Sequence, residues 1–263
     1  MVHNMAPLIG ACVKSLKWVD GIFIFDDHSI DGSVEIAKKY SKVPIKIEKS
    51  STGSLAFEEG ELQSRNYVLN QAFKNLGTDV MVIIDADEML SSVIRPKIIE
   101  IFNNPSIDSV MFSTRHLYDE QKYLHFWETT VNGVKMIDPH TRVVRSGKRL
   151  TPLFDDGSHP ILEATIATKC LHGPYHFHLK YHHRSTFPNY SIYFLPEQLT
   201  SSDVAPYLRE LPFKLPRDIV SALSVIDWNK MPVYKETPHH TTQRVKFADP
   251  NEALIHPKDK ENL

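Results

Sequence analysis

Two periodicities alternate along the first part of the chain. Apolar side chains recur at helical spacing in residues 6–19 and 58–76, whereas residues 22–25 and 80–84 form short, uninterrupted apolar runs. Helical spacing indicates amphipathic helices, and short apolar runs bounded by polar residues are typical of buried strands. Strands and helices in alternation predict an α/β fold with a mostly parallel sheet that is flanked by helices.

The pattern changes after residue 115 and divides the chain into three parts. Residues 1–115 carry the strand and helix alternation, and residues 116–200 carry short strand candidates among Pro, His and aromatic residues. Residues 201–263 form a C-terminal extension, whose end from 247 has no periodic apolar face and is predicted to be mobile. The second part is expected to be a mixed subdomain beside the first.

Acidic residues follow two of the predicted strands. Asp26-Asp27 follows the run at 22–25, and Asp85-Ala86-Asp87 follows the run at 80–84. In sheets of this kind ligands bind beyond the carboxyl ends of the strands. Residues i and i+2 point to the same side, so Asp85 and Asp87 are suited to hold one hard divalent cation. A strand end marked by acidic residues without a ligand is the alternative interpretation.

Charge and cysteine content exclude some classes of protein. Lys and Arg number 30 against 32 Asp and Glu, and the formal net charge is −2, so no nucleic-acid partner is expected. No apolar run approaches the roughly 20 residues that cross a bilayer, and no secretory signal is recognised. Cys12 and Cys170 are far apart and are predicted to be free thiols in a reducing compartment. A cytoplasmic location follows as the prediction, with contact to the inner face of a membrane left open.

Three motifs occur in a fixed order. They are Asp26-Asp27-His28-Ser29-Ile30-Asp31, then Arg65-Asn66, then Asp85-Ala86-Asp87-Glu88. In this order the chain resembles the family 2 glycosyltransferases, which have the GT-A fold, a Rossmann-like α/β sheet. The resemblance covers residues 4–115 and implies that residues 1–115 bind a nucleotide sugar and that residues 116–200 face the acceptor.

The resemblance also implies roles for single residues. Asp27 would bind the nucleobase, and Asp85 and Asp87 would hold Mn²⁺ or Mg²⁺ on the donor diphosphate. Arg65 has a separate argument, because it lies close to the apolar stripe of its helix and is therefore aimed towards the sheet. The predicted donor-binding residues are Asn4, Asp27, Ser29, Asp31, Arg65, Asp85 and Asp87.

The second half resembles, more weakly, bacterial enzymes that glycosylate lipopolysaccharide cores. The residues that carry this resemblance are Arg142-Val143-Val144-Arg145, His159-Pro160 and Tyr175-His176-Phe177-His178. His178 is preferred as a third metal ligand beside Asp85 and Asp87. The family has a glutamate where this chain has Pro160, so the general base is sought among Asp155, Asp156 and Glu163, with Asp156 favoured.

A second departure lies at the front of the chain. The family begins with a full strand followed by Asn-Glu, whereas this chain has only His3-Asn4-Met5 near that point. The first strand of the sheet is therefore expected to be missing. Either the sequence is a fragment with a late start, or activity is impaired.

The leading prediction is metal-dependent, inverting transfer of a hexose-type sugar from a nucleoside diphosphate, with UDP preferred, to a hydroxyl of a glycan, a lipid-linked or a protein acceptor. One alternative is an aspartyl phosphatase with Asp85 as its nucleophile, although Met89 stands where a small or hydroxyl residue is expected. Another is a binding module without activity. A third is a zinc enzyme, whose candidate ligands are His172, His176, His178, His182 and His183.

Overall fold

The computed structural model describes residues 1–50, 61–125, 128–148, 150–152, 160–162, 167–179 and 205–227. Within these residues the longer helices follow the apolar stripes of the sequence. Two single 3₁₀ turns, at Ser92–Ile94 and Ala205–Tyr207, accompany them. The helices are α1 (Ala6–Ser15), α2 (Ser33–Tyr40), α3 (Glu61–Leu76), α4 (Arg95–Phe102) and α5 (Arg217–Leu223).

Most of the strands are short. Among the strands in the described residues, only β5, β9 and β12 are longer than five residues. The strands are β1 (Ile22–Asp26), β2 (Ile45–Lys49), β3 (Val80–Val82), β4 (Glu88–Leu90), β5 (Ser109–Leu117), β6 (Lys122–Leu124), β7 (Glu128–Val131), β8 (Val134–Ile137), β9 (Pro139–Arg145), β10 (Leu150–Pro152), β11 (Pro160–Leu162), β12 (Thr168–His178) and β13 (Leu208–Glu210).

The main sheet has seven strands and is centred on β5. Its order is β13-β6-β5-β12-β4, and β9 also pairs with β5 and carries β3 on its other edge. In this sheet only β5 and β12 run parallel. Strands β1 and β2 form a separate parallel pair, and β7–β8 and β10–β11 are antiparallel pairs.

The α/β class is confirmed, but the prediction of a mostly parallel sheet is wrong. Strand–helix–strand connections extend only through the first part of the chain, and the later strands reverse direction through short turns. The turn between β7 and β8 is an example, because Asn132 and Gly133 both have positive φ, of 51° and 75°. Consecutive positive φ angles are required by the type I′ turn that joins twisted antiparallel strands.

The first strand that the resemblance implies is represented by a single residue, Val2. Its N–H donates to the carbonyl of Phe25 over 2.8 Å, and its carbonyl accepts from the N–H of Asp27 over 2.8 Å, which makes one parallel bridge beside β1. A groove of about 560 Å³ lies between β1 and β3, and Met1 and Met81 are among its lining residues.

Helix α1 is central to the larger apolar core. It buries Leu8, Ile9 and Val13 and packs against α2, α5 and β4. Gly10 permits the close approach of α2, since a Cβ there would lie 2.9 Å from the ring of Tyr40. Among the described residues, no helix combines the length and apolar character that a membrane span requires.

Candidate functional site

The loop after β1 is tied to the start of the chain by hydrogen bonds. The N–H of Asn4 donates to Oγ of Ser29 over 3.1 Å, and Oδ1 of Asn4 accepts from the N–H of Ile30 over 2.9 Å. Asp31 accepts from the N–H of Ala6 over 2.8 Å through Oδ2 and from the N–H of Ser33 over 3.0 Å through Oδ1. One carboxylate therefore satisfies donors at the first turns of both α1 and α2.

Asp26 and Asp27 are both buried at the end of β1. Oδ1 of Asp26 accepts from the N–H of Ser29, 3.1 Å away, and this bond holds the turn. Oδ1 of Asp27 lies 3.4 Å from Nδ1 of His28, whose backbone has a positive φ of 63°. The predicted nucleobase residue, Asp27, is thus on a fixed backbone at the sheet edge.

Asp85 lies between two arginines. Nη1 of Arg65 donates to its Oδ1 over 2.8 Å, and Nη2 of Arg142 donates to its Oδ2 over 3.2 Å. Burial disfavours the charged carboxylate, but the two guanidinium groups outweigh it and hold the pKa of Asp85 well below its usual value. The prediction that Arg65 points towards the sheet agrees with this contact.

Glu88 belongs to the same cluster of charged residues and is buried. Its carboxylate contacts the guanidinium of Arg142, lies 3.1 Å from Nε2 of His176, and accepts from the N–H of Asp85 over 3.0 Å. Although burial opposes its ionisation, Arg142 and His176 keep the pKa of Glu88 well below its ordinary value. Arg142 lies in a motif that the sequence singles out, but only the fold reveals its contact with the acidic residues.

Asp87 and His178 meet at the edge of this group. Oδ2 of Asp87 lies 3.0 Å from Nε2 of His178, and the carbonyl of Asp87 accepts from the N–H of Leu179 over 2.8 Å. Both side chains are largely buried, with 13% of Asp87 and 16% of His178 exposed. The antiparallel pairing of β4 with β12 creates this contact, because it places Glu88 opposite His178.

Of the three predicted metal ligands, Asp87 and His178 suit a divalent cation better than Asp85 does. Adjacent ligands of an octahedral cation with bonds of about 2.1 Å are about 3 Å apart, which matches the separation of Asp87 and His178. The carboxylate of Asp85, in contrast, is engaged by Arg65 and Arg142. Within the described parts of the chain, no group of three or more His, Cys, Asp or Glu is arranged to hold a metal. Asp87 and His178 are thus the two predicted metal ligands that the fold brings together with no arginine between them.

Sequence reasoning missed two residues that extend this site. Nε2 of His116 lies 2.5 Å from Oδ2 of Asp138, and Nδ1 of His116 lies 2.9 Å from Nδ1 of His178. Burial lowers the pKa of His116 to about 4, because Asp138 only partly compensates for the loss of solvent. The run of four polar residues from Ser113 to His116 at the end of β5 is the signal that could have pointed to His116.

The histidines of the hypothetical zinc site do not share one centre. His176 contacts Thr114, and His178 contacts His116, but His172 contacts Ser113 and Arg115 instead. The cause is a register shift in the pairing of β12 with β5 between Leu171 and His176. His182 and His183 lie outside the described residues.

The predicted general base also lies outside the described residues. This applies to Asp156 and to its alternatives Asp155 and Glu163, and equally to His159. Pro160, which stands where the family has a glutamate, begins β11. The choice of Asp156 therefore stays a prediction.

Acidic residues at strand ends, beside the buried Arg142 and the partly exposed Arg65 on an α/β scaffold, are typical of proteins that bind phosphorylated ligands at a sheet edge. Comparison with protein families gives the narrower assignment. Residues 1–162 match the family model described as Glycosyl transferase family 2. The chain belongs to glycosyl transferase family 2, a family whose members transfer sugars from nucleotide-sugar donors. The comparisons do not support the narrower resemblance to lipopolysaccharide-core enzymes.

Two solved structures are similar to parts of the chain. The crystal structure of S. aureus TarS aligns over 68% of this chain and 35% of its own, with 15% identity and a TM-score of 0.44. The crystal structure of S. aureus TarS 1–349 aligns over 71% of this chain and 60% of its own, with 15% identity and a TM-score of 0.42. The chain thus spans less than two thirds of the length of either structure.

Proposed function

We propose that this chain transfers a sugar from a nucleoside diphosphate sugar, with UDP as the preferred nucleotide, to a hydroxyl group of an acceptor. The observation that carries the proposal is the set of Asp85, Asp87 and Glu88 beside Arg65 and Arg142 in a chain of glycosyl transferase family 2. Carboxylates next to fixed guanidinium groups suit a ligand that brings both phosphate charge and a cation.

The donor would lie across the ends of β1 and β3. Asp27 would accept a hydrogen bond from the nucleobase, and the loop that Asn4, Ser29 and Asp31 hold in shape would form the wall of the nucleoside pocket. This loop is hydrogen-bonded to residues 4–6 in the absence of a ligand. A preformed pocket reduces the entropy lost on binding.

Arg65 and Arg142 would stabilise the charge that develops on the departing diphosphate. Arg142 is held by Glu88 and Asp85, which raise its pKa despite burial, so the guanidinium stays charged in the site. Because both arginines are fixed before the reaction, little reorganisation is needed when the sugar–phosphate bond breaks. The acceptor hydroxyl loses its proton to a base, for which Asp156 remains the candidate.

Asp87 and His178 would hold a divalent cation, Mn²⁺ or Mg²⁺, which supplies Lewis-acid stabilisation of the diphosphate when bound. Asp85 would contribute through its arginine partners or by turning towards the ribose. Inversion at the anomeric carbon is taken from the family resemblance.

Calorimetry of UDP binding with and without Mn²⁺ tests this proposal. The wild-type chain should bind UDP more tightly with Mn²⁺, and Asp87→Ala should lose the effect of the cation. A matched control is Asp108→Ala, because Asp108 precedes β5 at the end opposite to His116 and pairs with Lys148 over 2.9 Å. Equal Mn²⁺-dependent binding by Asp87→Ala would contradict the proposal, and so would a wild-type chain that binds no UDP.

A phosphatase is the weaker candidate. Its nucleophile would be Asp85, but both oxygens of Asp85 accept from arginines, which lowers the electron density available for attack. A binding module without activity is distinguished by UDP-sugar that binds and is not consumed. The acceptor class, whether glycan, lipid-linked or protein, would follow from products formed in an acceptor screen.

A further inference from the structure

Four side chains from four separate segments form a continuous polar chain beside the site. Oδ2 of Asp138 lies 2.5 Å from Nε2 of His116, and Nδ1 of His116 lies 2.9 Å from Nδ1 of His178. Nε2 of His178 then lies 3.0 Å from Oδ2 of Asp87. We call these four residues the carboxylate–imidazole chain.

The positions of the protons in this chain follow from donor and acceptor rules. The carboxylate of Asp138 only accepts, so Nε2 of His116 carries a proton. A neutral imidazole has one donor and one acceptor nitrogen, which leaves Nδ1 of His116 as an acceptor. The proton between the two Nδ1 atoms therefore belongs to His178. In the neutral form of His178, Nε2 is then the acceptor nitrogen, and it faces a carboxylate oxygen of Asp87 at 3.0 Å.

Two acceptors at 3.0 Å repel each other unless a proton or a metal cation lies between them, and a divalent cation that binds both atoms would take the place of the proton. Asp138, at the far end of the chain, is built into the fold with some strain, since its φ is +38° in a residue that is not glycine. Such strain costs about 1–3 kcal/mol and persists where the surrounding structure imposes it. Oδ2 of Asp138 also lies 3.2 Å from Nε2 of His140, so one carboxylate oxygen contacts both imidazoles.

We propose that His116 and Asp138 are positioning residues that hold His178 in the tautomer whose Nε2 can bind a divalent cation together with Asp87. This inference rests on the proposed function and extends it to two residues that touch neither the cation nor the donor. In many metal sites, a carboxylate that does not touch the metal hydrogen-bonds a metal-binding histidine, orients its ring and raises metal affinity. Here Asp138 acts on His178 through the imidazole of His116.

The test uses the full chain, Mn²⁺ alone, and the variant Asp138→Asn. Asparagine tolerates a positive φ and has nearly the same shape as aspartate. Its amide can also donate to His116, however, so it no longer fixes which nitrogen of His116 carries the proton. Mn²⁺ affinity, measured by electron paramagnetic resonance of the free ion, should fall about 10- to 100-fold. The matched control is Asp108→Asn, which makes the same substitution at a carboxylate that pairs with Lys148 over 2.9 Å, outside the carboxylate–imidazole chain, and it should leave Mn²⁺ affinity within about threefold of wild type.

A second measurement does not depend on how the variants fold. In the wild-type chain, the ¹⁵N spectrum should show Nδ1 of His178 protonated both with and without metal, and Mg²⁺ should displace any proton from Nε2 and shift its signal. An Nε2 that stays protonated in saturating Mg²⁺, absence of Mn²⁺ binding in the wild type, or Mn²⁺ affinity in Asp138→Asn equal to wild type would each overturn the inference. Because no nucleotide is used, these outcomes are separate from a failure of UDP binding.

Discussion

Arg65 and Asp85 join helix α3 to the loop that follows β3. Nη1 of Arg65 donates to Oδ1 of Asp85 over 2.8 Å, and both side chains are partly exposed. The pair thus presents a fixed positive charge at the place where the donor diphosphate is proposed to lie. Its partial exposure makes it open to ligands, in contrast to the buried pair of Arg142 and Glu88.

Removal of the guanidinium of Arg65 should weaken donor binding. We expect Arg65→Ala to lower UDP affinity by roughly tenfold or more, since a hydrogen bond between charged groups contributes about 1.5–3 kcal/mol. Arg65→Lys should recover only part of the loss, because an ammonium lacks the planar fork. Calorimetry measures both, and Lys74→Ala, an exposed cation on the same helix, is the control. Unchanged affinity in Arg65→Ala would assign the residue a structural role only.

Loss of the charge on Glu88 should destabilise the fold. Glu88→Gln leaves Arg142 buried with less compensation, which costs about 3–5 kcal/mol for a buried ion pair that loses one partner. Urea unfolding followed by tryptophan fluorescence measures the change in the free energy of unfolding. Glu210→Gln is the matched control, because its contact with Lys122 is exposed and 3.9 Å long, and no measurable change is expected. Equal stabilities for the two variants would refute the argument.

Stability should fall as the pH drops from 6.5 towards 4. The folded state holds the pKa of His116 at about 4, below the ordinary value of 6.5, so in this window the unfolded chain binds a proton that the folded chain does not. The linkage amounts to about 3 kcal/mol for His116, and the buried His176, with a pKa also lowered by burial, acts in the same direction. Urea unfolding at pH 7.5, 6 and 5 measures the slope. Stability that is constant or rises towards pH 5 would show that these imidazoles are charged in the folded protein.

Asp31 should matter for stability as well as for the donor loop. Asp31→Ala removes the acceptor of the N–H groups of Ala6 and Ser33 at the first turns of α1 and α2, and by analogy with the loss of a capping side chain this costs about 0.5–2 kcal/mol. Thermal unfolding should therefore shift down, while Lys38→Ala, at an exposed position of α2, should not shift it. If the melting temperature of Asp31→Ala equals that of wild type, the capping role is wrong.

The sequence predicted the parts of the site that depend on local pattern. Asp85 and Asp87 follow a predicted strand directly, and the position of Arg65 follows from helical periodicity. The pairing of the strands could not be predicted in the same way. Strand β4 has three residues and is recognisable only through its partner β12, which is distant in the sequence.

The contact of His116 with His178 also depends on strand pairing that the sequence does not predict. It joins residues 62 positions apart and requires that β12 run parallel to β5. It also requires the register shift after Leu171, without which His176 and His178 would face other residues of β5. Asp138 has a positive φ of 38°, which the sequence pattern does not predict. None of these features has a periodic signature.

The two halves of the proposed donor site are supported by sheets of very different extent. Within the described residues, β1 pairs with β2 on one edge and has only the bridge of Val2 on the other, whereas β5 has partners along both edges. Amide protons of β1 should therefore exchange with solvent faster than those of β5. The proposed nucleobase side of the donor site is therefore held by fewer hydrogen bonds between strands than the side that carries His178.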